Sequence, residues 1–120
     1  MWTMCSVANE ILRRIKRFIP WLSNEKRFSF HPVDHQKLYR SAQPSRKTLI
    51  YFISKYGLRS VIVLTEHYDR WEKELVQSVG LNFIHIPLKK EMPPSNKQLD
   101  SFSLFLSNSD NLPALIHCTQ

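Results

Sequence analysis

The chain has 120 residues, 42% of them hydrophobic, 22% charged and 12% aromatic, enough for one domain around one core and against wholesale disorder, collagen or coiled coil. Seventeen Lys and Arg against ten Asp and Glu leave a net charge of +7, which favours anionic partners: phosphorylated substrates, nucleic acid or an acidic membrane surface. Cys5 and Cys118, at opposite ends, make no disulfide framework and suit a reducing compartment in which a cysteine is kept for packing or chemistry.

In chain order, residues 1–23 come first. Ala8, Ile11, Leu12, Ile15, Phe18, Ile19 and Leu22 recur at three- and four-residue steps, while Arg13, Arg14, Lys16 and Arg17 occupy much of the opposite face. This predicts a basic amphipathic helix, bent or stopped at Pro20. Such a helix either lies on an anionic membrane surface or a partner, or packs on its own domain. Vesicle binding that disappears when the four basic residues become Ala supports the first reading; no binding removes it. No apolar run approaches the roughly 18 to 20 residues of a membrane span, and no secretory leader pattern opens the chain. The expected location is therefore cytoplasmic, at most peripheral to a membrane.

Residues 24–120 read as a second unit. Phe28, Phe30 and Val33 alternate with polar neighbours and Leu38-Tyr39-Arg40 follows a polar turn, a pattern for a short antiparallel pair. Ser45 is a candidate N-cap, Leu49, Ile50, Ile53 and Tyr56 form an apolar stripe, and Gly57 stands where a helix C-terminal cap belongs. Ser60 to Thr65 is a β-branched apolar run that suits a parallel strand buried on both faces. Asp69 to Val79 carries Trp71, Leu75 and Val79 at four-residue steps before Gly80, predicting a second helix. Phe83 to Ile86 is the next strand, ended by Pro87, and Leu99, Phe102, Phe105 and Leu106 mark a helix from about Asn96. Ala114 to His117 is a last strand. The alternation predicts an α/β fold with a largely parallel sheet flanked by helices and right-handed crossovers.

Ligands of open parallel sheets bind beyond the C-terminal ends of the strands. This chain places Thr65, Glu66 and His67 after one strand, Pro87 to Glu91 after another, and His117, Cys118, Thr119 and Gln120 at the last. A cysteine just past a buried strand is positioned for nucleophilic work if a loop of backbone N–H groups follows it. The alternative is an inert buried thiol.

Leu38-Tyr39-Arg40-Ser41-Ala42-Gln43-Pro44-Ser45, Tyr56-Gly57-Leu58, Val61 to Leu64, Gly80-Leu81 before a strand ending in Pro87, and Pro113-Ala114-Leu115-Ile116-His117-Cys118 occur in that order. The ordered set, covering about Phe30 to Gln120, resembles the protein tyrosine phosphatases of the compact dual-specificity type. That family's signature is His-Cys, five residues, then Arg. The resemblance implies a cofactor-free hydrolysis of a phosphate monoester, on a protein phosphotyrosine or phosphoserine or on a phosphorylated small molecule, through a cysteinyl-phosphate on Cys118. It also implies that His117 orients the loop and helps keep the thiol ionised, that Thr119 and Gln120 begin the phosphate-binding loop, and that Arg40, Ser41 and Gln43 border the pocket. The general acid of the family is usually an aspartate on a loop across the pocket; residues 89–95 offer only Glu91, which becomes the candidate.

The 120 residues stop two positions after Cys118, so the signature arginine and the helix after it are not among them. The resemblance then implies a C-terminally incomplete domain with negligible phosphatase activity, since each lost oxyanion donor costs about 3 to 4 kcal/mol in the transition state. It also predicts marginal stability and exposed apolar surface near Leu115 and Ile116. Competing readings are a non-catalytic pseudophosphatase or a peripheral membrane or partner-binding module. A zinc site at His67, His85, His117 and Cys118 ranks lower, because no Cys-x-x-Cys or His-x-x-x-His pair supports it, and no metal is expected. Nucleic-acid binding is not expected, as the basic residues beyond the first helix are dispersed.

Overall fold

A computed structural model describes residues 28–34, 36–89 and 92–118. The expected helix in 1–23, and Cys5, Lys90, Glu91, Thr119 and Gln120, lie outside the described residues. Within them the order is β1 (His31–Asp34), β2 (Leu38–Ser41), α1 (Arg46–Tyr56), β3 (Ser60–Val63), α2 (Arg70–Ser78), β4 (Asn82–His85), α3 (Asn96–Ser107) and β5 (Ala114–His117), with a 3-10 turn at Ser109–Asn111.

The strands form one sheet in the order β1-β2-β5-β3-β4. β1 and β2 are the predicted antiparallel pair, and every other neighbouring pair is parallel. The strand that comes last in the chain is therefore the middle of the sheet. β3 and β5 are buried along their whole length, which is why their sequences are apolar without alternation. α1 and α2 cover one face, where Leu49, Phe52, Leu75 and Val76 pack with Tyr39, Val61 and Leu115. α3 covers the other, where Phe102 meets Leu38, Ile62, Leu88 and Ile116.

This arrangement corrects one expectation. Leu115 and Ile116 are 0% and 1% exposed, because β5 has a strand on each side and helices within the described residues over both faces.

The helix ends follow their sequence signals. The Ser45 hydroxyl accepts from the Thr48 amide at 3.2 Å, and Gly57 takes the left-handed conformation at φ 61°, which costs a residue without Cβ little. Ser95 and Gln98 form a reciprocal capping box at 3.1 and 2.9 Å. Two helix faces differ from the predicted stripes. On α1 the buried residues are Leu49 and Phe52 while Ile50 is 47% exposed, since neighbours along a helix lie about 100° apart. On α2 the buried set is Glu72, Leu75 and Val76, and Val79 faces solvent at 53%. A carboxylate thus occupies a place on the apolar face.

Candidate active site

The parallel strands end together. Strand register aligns Ser41 of β2, His117 of β5 and Val63 of β3 in one row, with His85 of β4 opposite Val63. Cys118 follows directly, buried at 4% exposure among the residues under α3. Because successive residues of a strand point to opposite faces, His117 shares the α1/α2 side with Leu115. Its ring reaches the first turn of α2.

There the His117 Nε2 is hydrogen-bonded to the Glu72 Oε2, and both side chains are fully buried. The other carboxylate oxygen, Oε1, accepts from the Gln43 Nε2 at 3.1 Å. Gln43 reaches it from the connection between β2 and α1. Glu72 also lies where the α2 N-terminal dipole favours negative charge. A buried carboxylate is strongly disfavoured unless both oxygens are paired, and here each has a donor from a different element. The His117 Nδ1 is buried with no hydrogen-bond partner among the described residues.

Glu72 is the residue that the spacing argument overlooks. The available signal is its place three and four residues before Leu75 and Val76, which puts a carboxylate on the apolar face of α2.

The remaining candidates divide. Ser41 is buried and its hydroxyl donates to the Ala42 carbonyl at 2.8 Å. Arg40 is half-buried, in register with Ile116 and on the opposite side of the sheet from Ser41; burial holds its guanidinium below its ordinary value. Of the three residues expected at the pocket border, Gln43 is bonded into the His117 network. The His85 ring bonds the Thr65 carbonyl through Nε2 at 2.7 Å, and Tyr68 stacks edge-on against that ring at 4.8 Å. Glu66, which follows β3, is solvent-exposed. Among the described residues no cluster of three His, Cys, Asp or Glu side chains is arranged to hold a metal. The Cys118 sulfur stands in a disulfide, where the sequence suggests a retained thiol; pairing depends on approach in space, which separation along the chain does not encode.

The family described as DSP-PTPase phosphatase fused to NAD+ kinase matches residues 12–120. The chain belongs to that family. Among solved structures, this phosphatase-family chain is similar to the core catalytic domain of the PP-IP phosphatase Siw14 from S. cerevisiae. Their TM-score is 0.67 at 23% identity, over 76% of this chain and 56% of the other. It is also similar to P. aeruginosa TpbA, with a TM-score of 0.65 at 16% identity over 88% of this chain and 61% of that one. These likenesses are of fold, and the chain spans less than two thirds of either structure. No curated protein matches it. The mixed sheet of five strands with three helices among the described residues is the phosphatase-like α/β fold expected from the sequence.

Proposed function

We propose that the protein hydrolyses phosphate monoesters with Cys118 as nucleophile. The observation that carries this reading is the position of Cys118: directly beyond the central strand of a family phosphatase sheet, after a histidine clamped from below by a buried carboxylate. In the reaction the reduced Cys118 thiolate attacks phosphorus, an S–P bond forms as the ester P–O bond breaks, and the leaving alcohol takes a proton from an acid. Water then cleaves the S–P bond, releasing phosphate and restoring the thiol. Glu91 is the candidate acid, and Thr119 and Gln120 begin the loop whose amides receive the phosphoryl oxygens. The disulfide at Cys118 must first be reduced by exchange with an external thiol, which is itself oxidised to its disulfide, since only the thiolate is nucleophilic. The net charge of +7 suits an anionic ester, whether carried by a protein or by a small molecule.

The 120 residues alone contain no arginine after Cys118, so we propose that this polypeptide turns over little. The test compares it with a chimera in which residues from 119 onward continue through the loop and following helix of the yeast relative, keeping an arginine six positions after Cys118. The reduced chimera is expected to hydrolyse para-nitrophenyl phosphate, with at least a hundredfold loss in Cys118→Ser. A folded chimera whose turnover is unchanged by Cys118→Ser contradicts the assignment.

A further inference from the structure

Glu72 lies outside the signature, on a helix that contributes no other residue to the proposed reaction. Its side chain is nevertheless fully buried, one oxygen on the His117 Nε2 and the other on the Gln43 Nε2 at 3.1 Å. Replacing a buried ionic pair by packed apolar side chains is commonly neutral or stabilising, so stability alone does not require this arrangement. What the network does is fix a ring. With Nε2–H directed at the carboxylate, the His117 ring cannot rotate, and its Nδ1 is the remaining polar edge, buried and without a partner among the described residues.

We infer that Glu72, held by Gln43, is a positioning residue that acts through His117 on the reactivity of Cys118. This rests on the reading of Cys118 as the nucleophile. His117 is the residue before Cys118 in the chain, so its orientation is transmitted over one peptide unit. With the Nε2–H given to the carboxylate, the ring and the peptide unit leading to Cys118 are held in one orientation, which preorganises the surroundings of the thiolate. Among the described residues Glu72 is the ionisable group bonded to the ring; the flanking strands offer Ser41 and Val63 at the same register. Arg40, one residue along β2, points to the other face.

The test uses the 120-residue chain, reduced, and follows the rate of Cys118 alkylation by iodoacetamide as a function of pH. Glu72→Gln keeps the shape and an acceptor oxygen but removes the charge. It is expected to move the alkylation profile to higher pH and to lower the rate near pH 7 by about threefold or more, with circular dichroism unchanged. Gln43→Ala is expected to move the profile in the same direction by less. A profile unmoved by Glu72→Gln, or moved to lower pH, overturns the inference. If Glu72→Gln does not fold, the unsubstituted chain still decides: imidazole nitrogen shifts must show His117 protonated at Nε2, and a bare Nε2 overturns the inference. Cys118-independent turnover in the chimera refutes the phosphatase reading by a separate signal, which leaves this thiol measurement interpretable.

Discussion

Removing the Glu72 carboxylate altogether has a consequence apart from reactivity. Glu72→Ala strips the partner from a fully buried His117 and leaves the Gln43 amide its longer 3.4 Å contact with the Pro44 carbonyl in place of the 3.1 Å bond to the carboxylate. A loss of about 3 to 5 kcal/mol follows from orphaning a buried pair, read as a fall in the urea midpoint, while Glu74→Ala on the exposed side of the same helix is expected to change it by about 0.5 kcal/mol or less. Equal effects at the two positions contradict the burial argument. His31 supplies a pH test. Burial and then the neighbouring Arg40 hold its imidazole below the ordinary value of 6.5. As pH falls through 6.5 the unfolded chain therefore takes up a proton that the folded chain refuses, and stability declines. His31→Asn is expected to flatten the dependence of the urea midpoint on pH below that point; an unchanged slope contradicts it. At this scale the sequence places His117 at the end of a strand and Cys118 directly after it, and the structure has them there. The sequence did not disclose the His117 partner, because a helix and a strand 45 residues apart meet only through the sheet order.

Element by element, the ends were more legible than the faces. Ser45 and Gly57 announce α1 by local chemistry, since a cap needs only its own neighbours; the Ser95–Gln98 box of α3 is a finding of the structure. Ser45→Ala and Ser95→Ala are each expected to destabilise by about 1 kcal/mol, measured by denaturant titration; no change in either removes the capping account. The faces depend on what lies across the gap. Val79 continues a four-residue step from Leu75, yet it is exposed while Glu72 and Val76 are buried, because it is the C-terminal cap, where α2 has already ended. On the opposite face of the sheet, Phe102 is the one fully buried residue of α3. Phe102→Ala is expected to cost about 3 to 5 kcal/mol, whereas Leu104→Ala, at 74% exposure, should cost little.

For the molecule as a whole, the decisive feature is that the last strand to appear in the chain is the middle of the sheet. β2 and β3 are each hydrogen-bonded to β5, so the hairpin and the β3-β4 half form one sheet once residues 114–117 are in place. Strand alternation predicted a parallel α/β sheet, but strand order is a tertiary property that periodicity does not carry; the exposure expected at Leu115 and Ile116 from the missing C-terminal helix is not found, because α1, α2 and α3 already cover the central strand. The same central placement brings Cys118 to the end of the sheet, above the network of His117, Glu72 and Gln43. The most direct test of the whole account is to quench the reduced chimera with acid during para-nitrophenyl phosphate turnover and locate any phosphoryl adduct by peptide mass spectrometry. The adduct is expected on the peptide containing Cys118 and absent from Cys118→Ser; turnover with no adduct at Cys118, or with the adduct on another residue, contradicts it.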